Sequence, residues 1–505
     1  YKFKKLIQMN KHILTKTKIN SGLQCQKKLW YDFHEPIKSD NFLFHLGNRF
    51  GEVIRNNYGK GLDLSNIFDN EKAINETKQA LLSKNTKVIY EAAFIYLDTL
   101  VRTDVLIRDE KGWQLLEAKS STKLKDEHIP DIAIQSFIVR STGINVTKMK
   151  LLHINSNFIY EGNNDYKNLI NEVDVSEEVI LREKEVEEHI NNFKSFADKN
   201  SLCPEIGTGP HCKKPHDCIY QSRCNSVKDE PAKVSYEILP NKGKKLPIYC
   251  KENDIINLED IPPEKLNDNH KVIQSAHKNN KEWVSSDLKL ILKSFEWPFY
   301  FIDFETINQG VPKIKGTAPY YAMPFQWSVH KWNSPSHELK LEEGISFLDF
   351  ENQDIELKFV ESLLETVQKK GTVFAHNAPT EKNVLKKLKD KNSCKHLALE
   401  IDDLLERIVD TLVIVKKNFY HPKMNGEYGI KKIIKSIPAS ISYEEEDNIE
   451  GGVGAQLAWF ICTDQKTTEA EKKRQIKLLK EYCAKDTMAI YDLIKYLLNI
   501  ESKLI

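Results

Sequence analysis

The run Tyr300-Phe301-Ile302-Asp303-Phe304-Glu305-Thr306 sets two carboxylates two residues apart in an otherwise largely apolar stretch. In a β-strand, residues i and i+2 point to the same face. Asp303 and Glu305 therefore project together from the end of a strand whose other side chains demand burial. Two adjacent carboxylates in such a place repel each other and are costly to desolvate, and a divalent cation between them relieves both costs. A solvated strand end is the alternative for this stretch taken alone.

Two further segments carry acids in suggestive settings. Phe374-Ala375-His376-Asn377-Ala378-Pro379-Thr380-Glu381 reads as a short strand, a turn, and a helix opening near Pro379. Glu381 then falls in the first helical turn, where the helix dipole alone is reason enough for an acid. Tyr482-Cys483-Ala484-Lys485-Asp486 reads as helix, and residues i and i+4 share a helix face, so Tyr482 and Asp486 present a phenol and a carboxylate to one spot. An ordinary amphipathic helix with a half-buried tyrosine is the alternative there. Asp410, in Val409-Asp410-Thr411-Leu412, reads as a structural or outer acid rather than a ligand. Residues 299–305 and 371–376 are expected as buried strands and 381–388 and 476–497 as helices, which makes 291–505 an α/β domain.

An earlier block, residues 13–228, reads as strand, strand, strand, helix at 87–96, 100–108, 113–119 and 129–142. Asp109-Glu110-Lys111-Gly112 supplies a hairpin turn and Pro130 suits a helix start. Glu117 and Lys119 lie two apart and share a face, and Asp104 on the neighbouring strand can meet Glu117 across one metal ion. Lys119 would position water and counter developing negative charge, and Gln135 follows on the helix. Glu52 is a candidate early acid, with a solvated helix position as the better reading. Between the blocks, residues 229–290 are rich in Lys, Asn, Asp and Pro and read as a linker or small connecting module.

The chain has nine cysteines, and Cys203, Cys212, Cys218 and Cys224 crowd into one short segment. Such clustering points to a metal or an iron–sulfur cluster. Zinc is one option, with His211 or His216 joining as ligands. Cys250, Cys394, Cys462 and Cys483 read as ordinary core or surface thiols. No run approaches the roughly 18–20 apolar residues of a membrane span. Residues 1–20 are lysine-rich without an apolar signal region, and Met9 is a candidate natural start. A cytoplasmic protein with no membrane partner is therefore expected. With 505 residues, 40% hydrophobic and 29% charged, two or three globular domains are expected. The net charge of +1 argues against coating nucleic acid through bulk charge. Lysines in the first 40 residues and in 466–480 leave room for local basic grooves.

The segments Asp303-x-Glu305, Asn377-x-x-x-Glu381 and Tyr482-x-x-x-Asp486 together resemble the DEDD exonuclease superfamily, the DnaQ-like branch of the ribonuclease H fold, and the tyrosine places them nearest its DEDDy subgroup. Glu381 departs from the usual Asp. Asp104 followed by Glu117-x-Lys119 and Gln135 resembles the PD-(D/E)XK signature of RecB-type nucleases, with Val139 where that family usually has Tyr. CRISPR-associated and AddB-type members carry a 4Fe–4S cluster held by one early and three late cysteines, here Cys25, Cys212, Cys218 and Cys224, with Cys203 as a substitute. The nearly full-length pattern, including Pro319-Tyr320, Pro324-Phe325-Gln326-Trp327-Ser328 and the Ile261-Pro262-Pro263 step, is similar to an uncharacterised bacterial family that fuses the two modules.

These resemblances imply two mixed-sheet nuclease domains, PD-(D/E)XK-like at 13–228 and RNase H-like at 291–505. They imply a 3′→5′ exonuclease and a RecB-like DNase in repair, phage defence or CRISPR-associated processing. Two Mg²⁺ or Mn²⁺ ions about 4 Å apart would stabilise attacking and leaving oxygens. Asp303 would bridge them, Glu305 and Asp486 would complete one site, Glu381 would hold the other ion, and Tyr482 would orient the water. DNA is favoured over RNA as substrate. An RNA exonuclease, or a degenerate nucleic-acid-binding scaffold in a larger complex, are the alternatives.

Overall fold

The computed structural model describes residues 13–37, 42–225, 234–350, 354–443 and 451–503. Met9 lies outside these residues. The chain forms two compact units, one of residues 1–228 with 309–321, the other of 229–308 with 322–505. Both are α/β with mixed sheets. Among the described residues, no helix is long and apolar enough to cross a membrane.

In the first unit, helices α1 (Lys16–Gln24), α2 (Gln26–His34), α3 (Phe42–Tyr58) and α4 (Asn70–Leu82) precede strands β1 (Val88–Tyr96), β2 (Thr99–Arg108) and β3 (Trp113–Lys119). Helix α5 (His128–Ser141), strands β4 (Val146–Ile154) and β5 (Ile170–Asp174), and helix α6 (Ser176–Phe193) follow. The strands run β1-β2-β3-β4-β5, with two-residue strands at Leu62–Asp63 and Leu14–Thr15 added beside β1 and β2. Among β1–β5, neighbours are antiparallel except β3 and β4, which pair parallel because α5 carries the chain back across the sheet; the two short strands also pair parallel. Asp109 closes the β2–β3 turn by accepting the Lys111 and Gly112 amides at 2.9 and 2.8 Å. Alternation splits the strands between two cores. Leu106, Leu115 and Met149 pack under α5 and α6, whereas Val105, Leu116 and Leu152 pack with Phe50, Val53 and Ile54 of α3.

Residues 309–321 join the first unit although the strands on either side of them belong to the second. Val311 is buried in the core that holds Phe50. Tyr160 and this segment exchange backbone bonds through Gly316 and Thr317 at 2.7 and 3.0 Å. The Tyr320 hydroxyl donates to the Ser120 carbonyl at 2.5 Å.

The second unit includes the Lys-, Asn-, Asp- and Pro-rich segment expected as a linker or small connecting module. It carries helices α7 (Lys245–Glu252) and α8 (Asp268–Asn279), whose Leu246, Cys250, Ile273 and Ala276 pack in the same core as the unit's C-terminal helix. Polar composition hid these helices, because each buries only a narrow apolar stripe. The sheet comprises β6 (Phe299–Asn308), β7 (Ala322–Trp332), β8 (Ile345–Leu348), β9 (Thr372–Ala375) and β10 (Ile408–Asp410), in the order β8-β7-β6-β9-β10. The first three are antiparallel; β9 and β10 add in parallel on the other side of β6. Helices α9 (Ile355–Val367) and α10 (Pro379–Lys389) cover one face through Phe359, Leu363, Val384 and Leu388. After β10 come α11 (Thr411–Asn418), α12 (Ile430–Ile434), α13 (Gly451–Thr463) and α14 (Glu469–Lys503), and α14 covers the other face through Met488, Tyr491 and Ile494.

Candidate functional site

Strand β6 sorts its side chains by parity. Tyr300, Ile302 and Phe304 enter the core under α9 and α10, whereas Phe299 and Phe301 enter the core under α14. Asp303 and Glu305 continue the odd-numbered row, so they emerge on the α14 side. There they meet Asp486, and one carboxylate oxygen from each of the three lies within 4.8 Å of the others. Tyr482 and Asp486 share the α14 face as the i,i+4 spacing requires, and Tyr482 hydrogen-bonds the Asp486 carboxylate.

Glu381 sits in the first turn of α10, which opens at Pro379 as expected. It is 4% exposed, and its Oε2 has no hydrogen-bond partner among the described residues. Asn377, four residues earlier, takes a left-handed turn conformation (φ 67°) and donates its amide to Asp410 Oδ1 at 3.0 Å. Asp410 also accepts the Leu412 amide at 2.9 Å and caps α11. Asp410 thus holds the turn that delivers Glu381.

The electrostatics of this centre are those of clustered, buried acids that are only partly compensated. Burial, then the Asp486, Glu305 and Glu381 charges, hold the Asp303 carboxyl well above its ordinary range. Burial and the neighbouring Asp486 and Glu381 push Glu305 up to about 8. Burial, with a smaller push from Asp410, raises Glu381 to about 7. Asp486 is also raised by burial, although Tyr443, Lys431 and Tyr482 oppose the shift. Clustered, buried carboxylates with a spare oxygen fit hard divalent cations, which are bound by oxygen.

Several participants escaped the sequence reading. Tyr443 donates to Asp486 Oδ1 at 2.6 Å, so the carboxylate carries a second phenol. The Lys431 ammonium lies 5.0 Å from the Tyr443 ring centroid and 5.1 Å from that of Tyr482. Cys483, expected as an ordinary thiol, is fully buried against the site, its Sγ 3.4 Å from Asp303 Oδ2. Its place follows from the helical period: position 483 faces the sheet beside Asp486. Tyr443 and Lys431 come from irregular or short segments with no periodic signal.

In the first unit, β3 and α5 bring Glu117, Lys119 and Gln135 together. Glu117 is 1% exposed, and both its oxygens are occupied. Oε1 accepts from Lys16 at 2.5 Å and Lys119 at 2.9 Å, and Oε2 accepts from Gln135 at 2.6 Å. Although burial opposes ionisation, the Lys119 and Lys16 charges pull Glu117 below the usual carboxylate range. Asp104 accepts the Ala118 amide at 2.6 Å, and burial followed by the Glu117 charge pushes it well above the usual range. Lys119 also pairs with Asp131, which Asn20 contacts in turn. Glu91, with φ 55°, falls where the β1–β2 pairing skips from Tyr90 and Val105 to Ala92 and Thr103, and shares with Asp104 a cavity of about 310 Å³ lined also by Arg55 and Tyr90. An acid in the otherwise apolar row of β1 was the available signal. Glu52 is bound to Arg49 at 3.2 Å on the surface. Val139, at the position of the expected tyrosine, is fully buried in the α5 core.

Five cysteines of this unit converge. Cys25 stands between α1 and α2, and its charge acts on Cys203, Cys218 and Cys224; Cys212 acts on Cys218 and Cys224. Burial is the leading reason that the Cys203, Cys218 and Cys224 thiols are raised. Gln24 fixes the late segment by donating to the His211 and His216 carbonyls at 2.9 and 2.7 Å. Among the described residues, the acid trio is the only group of three or more potential ligands that closes within 4.8 Å.

A protein-family model described as a domain of unknown function, DUF2779, matches residues 300–429. The matched stretch begins on β6 and includes Asp303, Glu305 and Glu381; Asp486 lies beyond it. No curated protein matches the chain.

Proposed function

We propose that the second unit is a metal-dependent nuclease of the DEDD type that removes nucleotides from a 3′ end. The observation that carries this is the meeting of Asp303, Glu305 and Asp486 within 4.8 Å, with Glu381 buried nearby and one of its oxygens unpartnered. Asp303, Glu305 and Asp486 would hold one Mg²⁺ or Mn²⁺ ion, and Glu381 with Asp303 a second. Bound there, the ions supply Lewis-acid stabilisation of the attacking and leaving oxygens. Tyr482 and Tyr443 fix the Asp486 carboxylate, and Tyr482 also orients the attacking water. The mixed five-stranded sheet, with its acids on the central strand, supports an RNase H-like assignment.

For the first unit we propose a second nuclease centre, with Asp104 and Glu117 as ligands, Lys119 as the cation facing the substrate and Gln135 holding Glu117. An ion can reach Glu117 Oε1 once Lys16 or Lys119 releases it. The grouping of Cys25 with the late cysteines supports a 4Fe–4S cluster on four of the five, with zinc as the alternative, in the role of tying the early helices to the late segment. Nucleic acid is the proposed substrate, DNA ahead of RNA.

The test is cleavage of 5′-labelled single- and double-stranded DNA and RNA with Mn²⁺ or Mg²⁺, using wild type, Asp303→Asn, Glu117→Gln and the double variant. A ladder shortening from the 3′ end that disappears in Asp303→Asn supports the assignment. Cleavage that persists until Glu117 is also changed identifies the first centre as active. Absence of any cleavage by cluster-loaded wild type would overturn the enzymatic assignment in favour of a binding scaffold.

A further inference from the structure

Lys431 and Lys485 are the cations that act on Asp486, and Lys431 stands out because two aromatic rings hold it. Its ammonium lies over the faces of both phenols that bind Asp486, 5.0 and 5.1 Å from their centroids. Its charge favours ionisation of both Glu305 and Asp486. Among the described residues it forms no ion pair with a carboxylate. Aromatic faces attract an ammonium electrostatically but leave its N–H donors unused. The lysine is thus held at the centre by two rings, with donors still free for an anion.

Charge accounting points to which anion. Asp303, Glu305, Glu381 and Asp486 supply four negative charges when ionised, and two divalent cations balance them. Lys431, with Lys485 beside Asp486, then leaves the centre net positive. A phosphodiester is an oxygen-rich anion, which suits both that charge and an ammonium donor. Of the other neighbours, Asp410 caps α11 and Cys483 faces Asp303 from the buried side.

Resting on the nuclease assignment above, we propose that Lys431 is the substrate-contacting residue of the second unit, donating to a non-bridging oxygen of the scissile phosphodiester. Tyr443 and Tyr482 are its positioning residues, because their rings hold the ammonium while their hydroxyls hold Asp486.

The experiment compares full-length wild type with Lys431→Gln, Lys431→Met and Lys431→Arg. Steady-state cleavage of a 5′-labelled single-stranded oligonucleotide is followed at saturating Mn²⁺ over a series of salt concentrations, beside calorimetric Mn²⁺ titrations and thermal unfolding. Loss of a charge-assisted hydrogen bond should raise KM by about tenfold or more in the Gln and Met variants. The slope of log KM against log salt should flatten by about 0.7, the value of one phosphate contact on a single strand. Mn²⁺ affinity should hold or tighten, since a competing cation is gone, and Arg should restore most of the KM. The Met variant keeps the aliphatic stem on the rings, so it separates lost charge from lost packing if Gln unfolds. An unchanged KM and salt slope with tighter Mn²⁺ binding would overturn the proposal and leave Lys431 as a counter-charge to the acids. Wild type that binds Mn²⁺ through Asp303 yet cleaves no nucleic acid would instead overturn the nuclease assignment, and this proposal with it.

Discussion

Replacing Glu381 with Gln should stabilise the metal-free protein while crippling the metal site. Burial penalises the Glu381 charge and pushes its carboxyl up to about 7 from the ordinary 4.5. Below pH 4.5 the acid is protonated in both folded and unfolded chains and contributes nothing. As pH rises toward 7, the unfolded chain releases the proton while the folded one keeps it, so stability falls. Above pH 7 the cost is complete. The rise from 4.5 to about 7 corresponds to roughly 3 kcal/mol. Gln is isosteric and carries no charge to desolvate. In EDTA at pH 8 the Glu381→Gln variant should therefore melt about 6–12 °C above wild type, taking about 2–4 °C per kcal/mol. At pH 4.5 the two should coincide, and in saturating Mn²⁺ the advantage should shrink or reverse, because the ion stabilises only the wild-type site. Scanning calorimetry at the two pH values, with and without Mn²⁺, is the assay. A variant no more stable than wild type at pH 8 in EDTA would refute the claim that Glu381 is a desolvated, uncompensated acid.

Mn²⁺ binding at pH 7 should release protons, because Glu305 near 8 and Glu381 near 7 must ionise to coordinate. Affinity should therefore rise between pH 6 and 8, and the calorimetric heat should differ between buffers of different ionisation enthalpy. Gly371→Ala should lower stability by on the order of 3 kcal/mol or more, read from the urea midpoint. That residue turns into β9 with φ +96°, and an added Cβ would lie 2.1 Å from the Pro298 carbonyl oxygen. Anaerobically purified protein should contain iron and acid-labile sulfide, both lost in Cys25→Ala and retained in Cys250→Ala, whose thiol lies in the second unit's core.

The parts of the fold that were legible are those where period and burial agree. β6 could be placed from its apolar run, and the pairing of Asp303 with Glu305 from strand alternation. Tyr482 and Asp486 followed from helical spacing, and Glu381 from Pro379 opening a helix. What stayed hidden depends on tertiary proximity. Tyr443 reaches Asp486 because Asp492 pins the segment before it: the Ser440 amide donates to Asp492 Oδ2 at 2.7 Å and its hydroxyl to Oδ1 at 3.0 Å. No local pattern announces such a clamp. Lys16 lies 101 residues from Glu117, among the early lysines that read only as room for a local basic groove. The placement of 309–321 in the first unit was equally opaque, since its Pro and Gly residues signal only a loop between two strands.

The two acid centres solve the same electrostatic problem in opposite ways, and this sets how each should depend on metal. In the second unit, burial and mutual repulsion outweigh the opposing Lys431 and Lys485 charges, so the carboxylates hold their protons above the usual range and a divalent ion would displace them. Coordination is then the main source of compensation, and the site gains stability from every ion bound. In the first unit, Lys16 and Lys119 already neutralise Glu117, and Gln135 saturates its other oxygen. An ion entering there must displace an ammonium from a low-dielectric pocket, where charge pairs are strong. Metal occupancy should therefore be tighter at Asp303 than at Glu117. Removing Lys16 should narrow that gap, because it takes away one of the two cations with which the ion competes for Glu117 Oε1.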